Sequence, residues 1–174
     1  MKRLMVVALT FATMAMVSCG DKENTTPQEQ EEQGGDPSYV FHYQERALEP
    51  GQTIYYYPKA GDVSEDWATT EDIFIENITN SNLQSVLKIE KVSGAPAFDR
   101  VMFCFGENCV EREAGWASPP LTLVPGLNED LPIHVQYKPS DVDGETVYRI
   151  TVGKGTGLAN AQTVLLNLKG EPLE

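Results

Sequence analysis

The sequence predicts an all-β domain, an antiparallel β-sandwich, over residues 38–174, with a leader at 1–18 and a flexible acidic stretch at 19–37 ahead of it. Three observations carry this reading. After Pro37 the apolar residues fall into short β-branched and aromatic runs punctuated by Gly, Pro, Asn and Asp. Each run is too short for a helix of normal length. Several runs alternate apolar with polar residues at a period of two, the spacing of a strand with one face buried.

Taken in order, the expected strands are 38–44, 52–57, 72–78, 83–92, 100–105, 121–124, 131–138, 145–152 and 163–169. The alternation is clearest late in the chain. Leu131, Ile133, Val135 and Tyr137 share one face, and Pro132, His134, Gln136 and Lys138 take the other. Val147, Arg149 and Thr151 oppose Tyr148, Ile150 and Val152, and Val164, Leu166 and Leu168 oppose Leu165, Asn167 and Lys169. Asp143-Gly144 between two apolar runs is a short hairpin signal, and its lone Gly directly after the acids does not fit an EF-hand calcium loop.

The N-terminal part has a different chemistry. Lys2 and Arg3 are followed by fourteen mostly apolar residues, 4–17, broken only by Thr10 and Thr13. That is the pattern of an export leader, and it is shorter than the ~20 apolar residues a spanning helix needs. Met16-Val17-Ser18-Cys19 resembles a bacterial lipobox, with Met where Leu is usual. The resemblance implies a diacylglycerol-modified Cys19, removal of the leader, and acylation of the freed amine, so that the mature chain begins at Cys19 and is held to a membrane by its lipid. Asp21 and Glu23 just after the cysteine, with Lys22 between them, are similar to the acidic start of surface-exported lipoproteins of Bacteroidota, which implies the cell envelope and its outer membrane. From Gly20 to Pro37 there is no Val, Ile, Leu, Phe, Tyr or Trp, and six acids against Lys22 give a local charge of -5. Such a segment has no apolar surface to offset its ordering entropy and reads as a spacer with a reach of roughly 23 Å.

The charge balance excludes one class of function. The full chain carries 13 Lys+Arg against 26 Asp+Glu, a formal charge of -13. Such a surface repels phosphate backbones, and neither GxGxxG nor GxxxxGK is present, so nucleic acid is not an expected partner.

Two stretches resemble the immunoglobulin-like sandwiches of the hydin and major-sperm-protein kind. Residues 71–91 match their opening, a strand ending in an Asn-rich turn that leads into an apolar strand. Residues 133–170 match their closing half, with the aromatic-x-Pro ending Tyr137-Lys138-Pro139, a polar Gly turn, a strand, a loop and a last apolar strand ending in Gly170. The resemblance implies an immunoglobulin-like fold that binds other proteins by strand pairing or through loops.

Chemistry-bearing residues are few. With Cys19 assigned to lipid, Cys104 and Cys109 form an even pair in a compartment that permits oxidation. The segment FCFGENCV reads as strand, turn and strand, which sets the two thiols opposite one another for a disulfide. Nothing near them in sequence completes a four-ligand zinc set, so no metal is expected. His42 and His134, the two histidines, fall on polar strand faces by alternation. No GxSxG, no HExxH and no free Cys with a His partner is visible, and the chain is not expected to be an enzyme or to carry a cofactor.

The expected function is therefore a lipid-anchored, non-catalytic module of the cell envelope that binds or assembles with an envelope or host protein. The hairpin over 100–116 is its expected contact, through Phe105, Glu107, Asn108 and Trp116. The alternative is a glycan-binding accessory lipoprotein of a nutrient-uptake system, with Trp67 and Trp116 in expected loops and Tyr56, which alternation sends to the face opposite Tyr55 and Tyr57, as an exposed aromatic platform.

Overall fold

A computed structural model describes residues 37–59, 63–64, 67–94, 101–111, 115–142 and 144–170. The leader, Cys19, most of the acidic stretch, Arg100 and Asp143 lie outside the described residues. In chain order the strands are β1 (Tyr39–Tyr43), β2 (Arg46–Ala47), β3 (Thr53–Tyr56), β4 (Val63–Ser64), β5 (Trp67–Thr69), β6 (Ile73–Asn77), β7 (Leu83–Ser93) and β8 (Val101–Phe105). They continue as β9 (Asn108–Glu111), β10 (Gly115–Ala117), β11 (Leu121–Leu123), β12 (Gly126–Leu127), β13 (Ile133–Tyr137), β14 (Glu145–Lys154) and β15 (Ala159–Lys169).

These strands form two sheets. The first runs β2-β1-β6-β13-β5-β4, with β12 beside β6, β8 on the other edge of β13 and β9 beyond β8. The second runs β10-β7-β14-β15-β3, with β11 sharing the β10 edge of β7. Reduced to its long strands, the first sheet is β1-β6-β13-β8 and the second is β7-β14-β15. That is the distribution of first, second, fifth and fourth strands against third, sixth and seventh that defines the immunoglobulin-type sandwich. The chain is an immunoglobulin-like β-sandwich whose described strands pair antiparallel, apart from β3, which runs parallel to β15 through Thr53↔Leu165 to Tyr56↔Leu168.

Alternation builds the core. Tyr39 and Phe41 of β1, Ile73 and Ile75 of β6, Val101, Phe103 and Phe105 of β8, and Ile133, Val135 and Tyr137 of β13 all bury one face of the first sheet. Leu87 and Ile89 of β7, Tyr148, Ile150 and Val152 of β14, and Val164, Leu166 and Leu168 of β15 meet them from the second. Phe103 and Tyr148 join the layers edge to face, with ring centroids 5.1 Å apart. Tyr56 and Tyr137 do the same at 6.2 Å.

All nine expected strand regions are strands. The short β2, β4, β5, β10 and β12 are additions that two or three residues of pattern do not reveal. One turn differs in kind. Gly144 was expected in a hairpin, but β13 and β14 belong to different sheets, so the connection through the 3-10 turn Pro139–Asp141 crosses the sandwich. Val142 is buried beneath it, and Gly170 comes so close that a Cβ there would lie 2.3 Å from the Val142 carbonyl oxygen. The dipeptide marks a turn; which sheet receives the next strand is set by the core.

Buried phenols give the fold a pH limit. The Tyr39 hydroxyl meets Ser85 Oγ at 2.9 Å across the layers, and Tyr137 donates to the Lys169 carbonyl at 2.7 Å. Burial raises the pKa of Tyr39 and of Tyr137 above that of a free phenol, and burial with the Glu71 carboxylate pushes Tyr43 up to about 12. In the unfolded chain these groups ionise near pH 10. Because the folded pKa values are raised, their contribution is complete below pH 10 and is lost as pH rises from 10 through the folded values. Stability is expected to fall above pH 10 by up to about 1.4 kcal/mol per pH unit for each withheld proton. Denaturant melts followed at 295 nm between pH 8 and 12 check this; a flat profile would refute the burial of these hydroxyls.

Candidate functional site

The β8–β9 hairpin is assembled from its register. Met102↔Glu111, Phe103↔Val110, Cys104↔Cys109 and Phe105↔Asn108 face each other, and the paired cysteines form the expected disulfide with Cα atoms 4.1 Å apart. Gly106 begins the turn at φ 57°, and a Cβ there would sit 2.7 Å from Leu131 Cδ2. Its N–H donates to the Pro132 carbonyl at 2.8 Å. The tip is thus tied covalently across its strands and by hydrogen bonding to the start of β13. Glu107, Asn108 and Cys109 are exposed on it.

Phe105 does not join them. It is fully buried, because Val101, Phe103 and Phe105 share the parity that faces the core, leaving Met102 and Cys104 on the outer face. The expectation that Phe105 makes contact with a partner is corrected accordingly. That parity was readable in RVMFCF itself.

The aromatic trio does not form one surface. Tyr56 is 5% exposed and donates its hydroxyl to the Thr69 carbonyl at 2.7 Å, so it is a core residue and not a platform residue. Alternation had separated it from Tyr55 and Tyr57, and those two are the exposed pair. Trp67, expected in a loop, lies on β5 of the first sheet, half-buried, with Lys138 Nζ 5.6 Å from its ring centroid. Trp116, also expected in a loop, lies on β10 of the second sheet opposite Ile89, half-buried against the core.

A shallow groove of about 310 Å³ opens elsewhere, between the β1–β2 turn and β3, lined by Tyr43, Gln44, Arg46, Gln52 and Tyr55 among others. Gln44 and Glu45 hold φ of 49° and 61° in that turn, the left-handed pair that a two-residue hairpin requires and that Asn-Gly ordinarily supplies. Both histidines lie on outer faces as expected. His42 Nε2 pairs with Glu76 Oε2 at 2.8 Å.

His134 has company that the sequence did not predict. It faces Cys104 in the β13–β8 register. A ring nitrogen of His134 and the sulfurs of Cys104 and Cys109 lie within 4.8 Å of one another. Asp72 Oδ1 lies 3.4 Å from His134 Nδ1, which is buried without an aligned hydrogen bond. The row Cys109–Cys104–His134 crosses β9, β8 and β13, and Asp72 stands just before β6.

No family model matches the chain, and no curated protein matches it. Solved structures do. The chain is similar to the N-terminal domain of PorA at a TM-score of 0.57 and 15% identity, over 75% of this chain and 96% of that one. PapD-like domain 7 of human CEP192 aligns at a TM-score of 0.39 and 6% identity, over 86% of this chain and 98% of that one. A FixG-related protein from Vibrio parahaemolyticus aligns at 0.34 and 15% identity, over 64% of this chain and 83% of that one. The PorA domain shows a shared fold; the two lower scores carry no argument.

Proposed function

We propose that this chain is a lipid-anchored protein of the cell envelope, fixed to the outer membrane through Cys19 and held off it by the stretch 20–37, where its sandwich binds or assembles with another protein without catalysis. The observation that carries the reading is the β8–β9 tip, where Glu107 and Asn108 stand exposed on a turn stiffened by the Cys104–Cys109 bond and by Gly106 against Pro132. A preformed contact loop loses less conformational entropy on association than a flexible one. The leader and its lipobox-like ending supply the anchor half of the proposal.

One set of variants tests both halves. A photo-cross-linking side chain at Asn108 is expected to give a discrete adduct in the producing cells. The same side chain at Thr156, an exposed position in the β14–β15 turn, is expected to give none. Adduct yield should drop in the Cys104→Ser/Cys109→Ser background. Metabolic labelling with an alkyne fatty acid should mark the wild-type chain and not Cys19→Ala. Equal adducts at 108 and 156 would remove the contact, and unlabelled wild-type protein would remove the anchor.

A further inference from the structure

We propose that Cys104, Cys109 and His134 form a zinc site that opens when the disulfide is reduced, with Asp72 orienting the histidine and water completing the coordination. The site does not depend on the role proposed for the hairpin tip.

The donors are already gathered. Two sulfurs and an imidazole nitrogen within 4.8 Å of one another need only modest adjustment to surround one ion, because Zn–S and Zn–N bonds run about 2.3 and 2.0–2.1 Å. The chemistry matches a borderline-soft cation, since two thiolates and an imidazole are zinc donors and harder ions prefer oxygen. Asp72 Oδ1 lies 3.4 Å from Nδ1, so that with zinc on Nε2 it would take the place of the carboxylate partner a metal-bound histidine ordinarily has. His134 Nδ1 is buried without an aligned hydrogen bond, and a metal on Nε2 would fix the ring with its Nδ1–H toward Asp72. Cys109 is exposed, so an ion can enter from solvent and keep a water as its fourth ligand. The strands hold the set in place. Cys109↔Cys104 and Cys104↔His134 are cross-strand neighbours in one continuous ladder.

Loading takes two balanced steps. A dithiol reductant attacks the Cys104–Cys109 bond by thiol–disulfide exchange; its two thiols become a disulfide, and the protein gains two thiols. Zinc then displaces the two thiol protons, which go to solvent, and binds two thiolates and the neutral imidazole. A disulfide oxidant reverses the exchange: it is reduced to two thiols, the Cys104–Cys109 bond re-forms and the ion is released, so occupancy follows the thiol–disulfide state of the surroundings.

The test uses the folded chain from residue 38 onward within the full mature protein, reduced with dithiothreitol, freed of reductant without oxygen, and titrated with Zn²⁺ or with Co²⁺ as a coloured substitute. The reduced protein is expected to take up one equivalent, with a thiolate-to-cobalt charge-transfer band and tetrahedral d–d absorption; the oxidised protein should take up none. Asp72→Asn should weaken binding about 10- to 100-fold. His134→Gln should weaken it further and lose the tetrahedral signature. Circular dichroism reports whether reduction preserves the fold. If reduction loosens it, added zinc should restore the folded spectrum and raise the melting temperature. Uptake by His134→Gln equal to wild type, no uptake beyond the Cys104→Ser/Cys109→Ser variant, or failure of zinc to restore a loosened fold would each overturn the site.

Discussion

Phe103→Ala is expected to destabilise the sandwich by about 3–5 kcal/mol, read as a shift of the denaturant midpoint at constant slope. The ring is fully buried on β8 and meets Tyr148 of β14 edge to face at 5.1 Å, so it bridges the two sheets at the centre of the core. Deleting it removes both the transfer free energy of the ring and the contacts of Tyr148, which is held in its own sheet by β7 and β15 and cannot follow. A domain of this size is stable by about 5–15 kcal/mol, so the loss is a large fraction of the total. Met102→Ala is the internal control. It sits one residue away on the outer face, and its truncation should cost under about 1 kcal/mol. Equal costs would mean that β8 presents the other face to the core.

Asn77→Ala is expected to cost about 2–4 kcal/mol. Asn77 ends β6 and is 1% exposed. Its Nδ2 donates to the Leu123 carbonyl at 3.0 Å and to the Ser81 carbonyl at 2.8 Å. Its Oδ1 accepts from the Thr79 amide at 3.0 Å and from the Thr79 hydroxyl at 2.8 Å. Leu123 belongs to the other sheet, so one amide closes the turn into β7 and ties the layers together. Removing it strands buried donors and acceptors, which costs more than the bonds contributed. Asn77→Asp is a sharper version of the test. It retains the acceptor, loses the donor, and sets a carboxylate against two carbonyl oxygens, so it should be no more stable than the alanine variant by chemical denaturation.

These two residues also mark how far the sequence could be read. The parity of Phe103 is visible in a five-residue run, and the Asn-rich turn around Asn77 is visible as punctuation. Neither shows which sheet the other end of the contact comes from. The period-two signal assigns faces, and it assigned them for His42, His134 and the late strands. Tyr56 and Phe105 were misplaced because their aromatic character was weighed above a parity that Ile54 and Phe103 already set. Trp67 and Trp116 were placed in loops because strands of three residues leave too little pattern to count. The disulfide was legible because its cysteines are five positions apart with a Gly turn between them. The approach of His134 and Asp72 was not, because it depends on which strands become neighbours of β8, a choice made by the whole core.

The parallel seam between β3 and β15 has a consequence for the order in which the molecule matures. Thr53 waits for Leu165, and the Gly51 amide donates to the Thr163 carbonyl at 2.7 Å, so these partners are separated by more than a hundred residues. Closure at such long range is slow, because the entropy of the intervening loop is lost before any contact rewards it. Until β15 is in place, the backbone of β3 lacks the strand it pairs with, and such an unpaired edge is open to pairing with other chains. Pairing of residues 53–56 with β15 is therefore expected among the late steps of folding.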